Sequence, residues 1–205
     1  MFGLFQDPLR WLQSLLYMLP GLIIGFTVHE FCHAAAADAL GDNTPRLEGR
    51  LTLNPSAHID WMGVVLFVLL GWGYARPVRI RVGNLRGRKW GEAAVSAAGP
   101  AANFVLAGLF YALCVHLPGG WWSGFLLYGC SINLTLCFLN LLPVPPLDGF
   151  SLLRLVIPLK WSRFVFFMQR YGIVLLVALS VLGLLDGYFG VTAGWAYAIF
   201  GVIFG

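Results

Sequence analysis

His29, Glu30 and His33 stand in the order His-Glu-Phe-Cys-His. Two imidazoles four residues apart project from one face of a helix, a single turn apart, and can share a metal ion. In this spacing the glutamate is a base and not a ligand: the metal activates water for attack on an amide while the carboxylate carries the proton. Five-residue patterns also arise by chance. The surroundings weigh against chance, because ionisable groups inside an apolar helix cost about 2 to 3 kcal/mol each and call for a partner that neutralises or coordinates them.

A catalytic zinc takes three protein ligands and keeps a fourth position open, so one more nitrogen or oxygen must come from elsewhere. Asp148 is the best candidate. It ends an apolar segment, behind Pro143, Pro145 and Pro146, which cannot continue a helix and leave irregular backbone of the kind tolerated at membrane depth where it lines a cavity. Gly149 then lets the chain turn closely. The plainer account of Asp148 is a loop aspartate at an ordinary helix end. Other divalent ions accept two histidines and an aspartate, but zinc is the default for a tetrahedral hydrolytic site.

The elements that must position these residues are set by composition. The chain has 205 residues, of which 59% are hydrophobic and 11% charged, and a mean hydropathy of +0.79. A soluble domain carries about 25% charged residues. Residues 1–205 are therefore expected to form one membrane-embedded domain, with a catalytic core over about 11–150 and C-terminal helices over about 164–205. The net charge of +4 sits in loops between apolar runs and reads as membrane topology, which argues against nucleic acid as a partner. Cys32, Cys114, Cys130 and Cys137 lie in apolar segments without the paired spacing of a zinc ribbon or redox motif, and read as reduced packing residues. A signal peptide ending at Ala34–Ala37 fits poorly, since the leader offers only Arg10, offset by Asp7.

Apolar stretches at about 11–40, 92–116, 122–142, 164–185 and 190–205 are long enough to cross a bilayer. Residues 46–56 alternate polar and apolar side chains and predict a short strand, giving a small β element near the membrane face. Residues 59–75 are apolar, glycine-rich and barely long enough to span. The basic loops 76–91 and 154–163 belong in the cytoplasm, whereas the tip at Pro118-Gly119-Gly120 and the turn at 186–189 carry no lysine or arginine. If the first helix also ends inside, 59–75 must leave and return on one side. The expected fold is thus an all-α polytopic membrane protein of five transmembrane helices plus a re-entrant segment, or six helices if 59–75 crosses.

His29-Glu-Phe-Cys-His33, Gly99-Pro-Ala-Ala-Asn103 and Asn140-Leu-Leu-Pro-Val-Pro-Pro-Leu-Asp148-Gly149, each in its own apolar segment, resemble in kind and order the three hallmark motifs of the site-2 protease family of intramembrane metalloproteases. Asn54-Pro-Ser-Ala-His58-Ile-Asp60 and Arg76-Pro77-Val78 resemble its compact prokaryotic branch. The resemblance implies a three-helix core in a prokaryotic cell membrane, with one zinc ion on His29, His33 and Asp148, and Glu30 as the base. It places the site nearer the cytoplasmic face and makes Asn103 and Asn140 substrate-positioning amides. It also implies a partner, a membrane-protein substrate with a transmembrane helix, cleaved within or beside the lipid bilayer in regulated intramembrane proteolysis. An asparagine in a membrane helix is otherwise interhelical glue. No PDZ module fits the loops and no CBS pair follows Gly205, so regulation by those devices is not expected.

His58, in a loop, and His116, at an outer helix end, are not assigned to the site. The rival classes are an ion-binding transporter, which should show ion flux without proteolysis, and an inactive membrane scaffold. Nothing in the sequence sets the oligomeric state.

Overall fold

A computed structural model describes residues 7–70, 76–117 and 119–205. The described residues are arranged in nine α-helices: α1 (Pro8–Ala39), α2 (Thr44–Leu47), α3 (Pro55–His58), α4 (Trp61–Leu70), α5 (Lys89–His116), α6 (Trp122–Asn140), α7 (Asp148–Val156), α8 (Ser162–Val181) and α9 (Leu184–Phe204). Five of them, α1, α5, α6, α8 and α9, are long and apolar enough to cross a membrane. Their outward faces remain apolar, with Val105, Leu127, Val174 and Val202 all exposed. A helix that is apolar on every side needs lipid as its solvent. The chain is a multi-pass integral membrane protein.

α1, α5 and α6 pack mutually as the core that carries the site. α1 begins where Asp7 accepts a hydrogen bond from the Arg10 backbone N–H and Pro8 occupies the first turn. Its Gly21 lies directly against Gly129 of α6, and Gly129 in turn faces the Phe110 ring of α5. Small residues at such crossings let helix backbones approach where lipid removes the hydrophobic drive for association. α9 closes the other flank, inserting Ala196 and Phe200 among Ala107, Phe110, Cys130 and Leu134. α8 lies outside this core and meets the proline-rich turn before Asp148, where Gly172 abuts the Pro145 carbonyl.

The expected β element at 46–56 is absent; no strand occurs among the described residues. The alternation in the sequence has no neighbouring strand to pair with, and the backbone satisfies itself locally instead. Arg50 N–H donates to Pro45 C=O at 2.8 Å and Asn54 N–H to Thr52 Oγ1 at 3.1 Å. Pro45 and Pro55 each open a single helical turn, the second capped by Asn54. The predicted turn at 186–189 is also displaced. It falls at Leu182-Gly183, where Gly183 takes φ +70°, a conformation open to glycine and unfavourable for other residues. Asp186 lies inside the first turn of α9, where a carboxylate complements the helix dipole, so its polarity marks a helix start and not a loop.

Of the segment 59–75, the described part is α4, Trp61–Leu70, and 71–75 lie outside the described residues. Its ten helical residues rise about 15 Å, half of a hydrocarbon core of about 30 Å. The Arg76 N–H donates to His58 C=O at 2.8 Å, so the chain returns to the place it left.

Candidate metal centre

Two facing helix stripes build the centre. On α1, Gly25, His29 and His33 follow one another a turn apart; on α5, Val95, Gly99 and Asn103 do the same. Gly99 sits opposite both rings. A Cβ there would collide with His33 Nε2 and lie 2.6 Å from His29 Cε1, so only glycine lets α5 approach the imidazoles this closely. His29 and His33 are each 6% exposed, with ring centroids 4.5 Å apart and planes nearly perpendicular.

Asp148 arrives from over a hundred residues away. The turn from Leu141 to Leu147 folds back so tightly that a Cβ on Gly149 would strike the Leu141 carbonyl, and α7 starts at Asp148 itself. Arg154 of α7 pairs with Glu92 of α5 at 3.3 Å, seating the helix on the core. The result is a triangle of donors: His29 Nε2 to His33 Nε2 is 3.0 Å, and Asp148 Oδ2 stands 3.2 Å from each nitrogen.

These donors fit zinc. At zinc–ligand distances of about 2.0 to 2.2 Å, tetrahedral donors stand about 3.4 Å apart. The far nitrogens of the two rings settle the tautomers. His33 Nδ1 lies 2.7 Å from Val95 C=O and His29 Nδ1 lies 2.6 Å from Asn103 Oδ1. A carbonyl oxygen only accepts, so both Nδ1 atoms carry the hydrogen, and both Nε2 lone pairs converge with an anionic oxygen on one point. A cation is the partner such a set calls for. His29, His33 and Asp148 are the metal-competent cluster among the described residues.

Glu30, 8% exposed, stands outside the triangle, and its Oε2 accepts a hydrogen bond of 3.0 Å from the Val78 backbone N–H. Asn103 is fully buried with both ends of its amide engaged, leaving no polar atom to face a substrate. Asn140 is half-buried and donates to Leu136 C=O of its own helix; no hydrogen bond joins it to the triangle among the described residues. His58 is fully buried at the end of α3, which packs on α1, its Nε2 bonded to Thr52 C=O at 2.8 Å, and the exposed His116 bonds back to Ala112 C=O. Sequence reasoning did not single out Asn133 or the Val95 carbonyl, and it marked Val78 only as part of the Arg76-Pro77-Val78 motif, without a role for its N–H. Asn133 could have been found by the rule that drew notice to Asn103, since both are polar side chains in an apolar helix. Backbone groups leave no such signal.

Five apolar helices, together with a buried two-histidine, one-aspartate cluster and a neighbouring glutamate, define a membrane metalloprotease. The family model of peptidase family M50 matches residues 119–179. YwhC of Bacillus subtilis is 34% identical over 175 residues, 80% of each chain, and Rip2 of Mycolicibacterium smegmatis is 30% identical over 205 residues, 95% of this chain and 78% of its own. A relative from Methanocaldococcus jannaschii is 31% identical over 69% of this chain and 68% of its own. All three carry the words zinc metalloprotease in their names. No solved structure matches the chain. The protein belongs to peptidase family M50, the site-2 proteases, and zinc is its metal.

Proposed function

We propose that the protein is an intramembrane endopeptidase that cleaves membrane-protein substrates in or beside a transmembrane segment, with one zinc ion on His29, His33 and Asp148 and with Glu30 as general base. The observation that carries this reading is the convergence of two imidazole nitrogens and one carboxylate oxygen within 3.2 Å, from positions 29, 33 and 148. Zinc, when bound, supplies a Lewis acid for the scissile carbonyl and for water.

The chain does the rest. Val78 N–H holds Glu30 Oε2, which fixes the carboxylate and leaves Oε1 to take the proton of the attacking water and return it to the leaving amine. Asn103 and Val95 hold the two rings in the tautomer that ligation requires. A peptide bond inside a helix hides its carbonyl in the helix ladder, so the substrate must unwind locally before it can be cut.

Glu30 touches the segment that carries Arg76, Arg79, Arg81, Arg86, Arg88 and Lys89. Clustered basic residues favour the cytoplasm, which supports a site nearer the cytoplasmic face. The Arg76–His58 tie supports a re-entrant course for 59–75. The relatives come from bacteria and an archaeon, which supports a prokaryotic cell membrane.

The test uses protein reconstituted in liposomes with a single-span reporter substrate. Glu30→Gln should retain zinc and lose cleavage, whereas His33→Ala and Asp148→Ala should lose zinc. Full activity in the first variant, or full metal content in both others, would overturn the assignment.

A further inference from the structure

Asn103 does not end the hydrogen-bond chain that starts at His29. Its amide nitrogen lies 2.9 Å from Asn133 Oδ1 and 3.1 Å from Gly25 C=O. The Asn133 amide nitrogen in turn lies 2.8 Å from Gly129 C=O and 3.3 Å from Gly21 C=O. Both asparagines are fully buried, so water supplies neither with a partner.

The direction of this chain follows from its far end. Gly129 and Gly21 carbonyls can only accept, so the Asn133 group that faces them is its NH2 and the group that faces Asn103 is its oxygen. That oxygen and the Gly25 carbonyl can only accept, so Asn103 presents its NH2 to them and its own oxygen to His29. His29 must then donate from Nδ1, which leaves Nε2 with a free lone pair aimed at the metal position. His33 obtains the same tautomer directly from the Val95 backbone carbonyl. His29 has no backbone carbonyl at its Nδ1 among the described residues and receives it through Asn103, whose NH2 is held jointly by the Gly25 carbonyl and Asn133 Oδ1.

We infer that Asn133 is a positioning residue for zinc: acting through Asn103, it fixes the tautomer and orientation of His29. Without Asn133, one Asn103 hydrogen loses its acceptor, and the Gly25 carbonyl alone keeps the amide's NH2 turned from His29. The amide is then held by one hydrogen bond in place of two, and each turn of it toward His29 would put the ring's hydrogen on Nε2, facing the metal position. Packing glue between α1, α5 and α6 would use the same hydrogen bonds but would not care which way the amides point.

The inference rests on His29 being a zinc ligand, and His29→Ala serves as the control. Detergent-purified variants are assayed for zinc affinity by chelator competition, for the absorption spectrum of the cobalt-substituted protein, and for thermal stability. Asn133→Leu should weaken zinc binding about 10-fold and alter the cobalt spectrum, within the range of about 10- to 100-fold known for residues that orient a ligand. The Asn103→Leu/Asn133→Leu double variant should bind zinc no more weakly than Asn103→Leu alone. Asn133→Asp, as the neutral acid, keeps an oxygen for Asn103 and a hydroxyl for Gly129, and should restore most of the affinity. Should Asn133→Leu not fold, Gly25→Ala takes its place, since the added Cβ would lie 2.6 Å from Asn133 Oδ1 and displace the amide.

Zinc affinity within twofold of wild type beside lowered thermal stability would mark Asn133 as glue and overturn the inference. Additive losses in the double variant would overturn it too. Retention of zinc by His29→Ala would strike the ligand assignment itself, a separate failure.

Discussion

At the scale of single residues, the site depends on atoms that are absent as much as on those present. Alanine is normally preferred to glycine within a helix by up to about 1 kcal/mol. Gly99→Ala should do the opposite here, because its methyl would enter the space of the His29 and His33 rings. We expect at least about a 10-fold loss of zinc affinity by chelator competition, the order seen when a ligand's support is disturbed; wild-type affinity would show that the rings can yield. The candidates His29, Glu30, His33 and Asp148 are legible in the sequence because the ligation and proton transfer proposed for them restrict the residue types that can serve. Asn103 is legible as a polar group in an apolar helix, but not its partner, since an amide looks the same whether it faces substrate or a ligand's far nitrogen. The Val78 N–H and Val95 C=O carry no side-chain signature at all.

At the scale of elements, the segment beside Glu30 is fastened to the end of α1 through Asp42. This fully buried carboxylate accepts from Arg81 N–H at 2.6 Å, from Thr44 Oγ1 at 2.6 Å and from Asn84 Nδ2 at 3.1 Å, while Arg86 N–H donates to Leu40 C=O at 2.8 Å. Burial pushes the Asp42 pKa up, but these donors outweigh burial and hold it below the usual value. A depressed carboxylate stabilises the fold above the unfolded pKa of about 3.9 and loses that contribution as pH falls through the folded value. Backbone hydrogen exchange over 80–86 should therefore quicken, relative to α5, only below about pH 4, and Asp42→Asn should remove that pH step. A step of equal size in the variant would assign it to another group. The long helices were legible to within a few residues because lipid demands unbroken apolar runs. The strand was not, because alternation defines a strand only when a partner exists, and the α8–α9 turn was misplaced because Asp186 reads alike as a loop residue and as a favourable first-turn acid.

At the scale of the molecule, hydropathy alone marks the five spanning helices found among the described residues but leaves 59–75 open between a crossing and a return, a choice that turns on one long-range hydrogen bond no local pattern encodes. Single cysteines placed by Ser56→Cys and Arg79→Cys, with the four native cysteines replaced by serine, should react with an impermeant maleimide from the same, cytoplasmic, side. Labelling from opposite sides would mean that the intervening stretch crosses. The contact between Val78 and Glu30 has a wider bearing. Among the described residues, the strip 76–84 forms no hydrogen bond with His29, His33 or Asp148 and holds the glutamate by a single proton bridge. If Glu30 is the base and the three donors hold zinc, the two tasks rest on separate supports: displacing the strip would release the carboxylate without breaking a hydrogen bond of His29, His33 or Asp148.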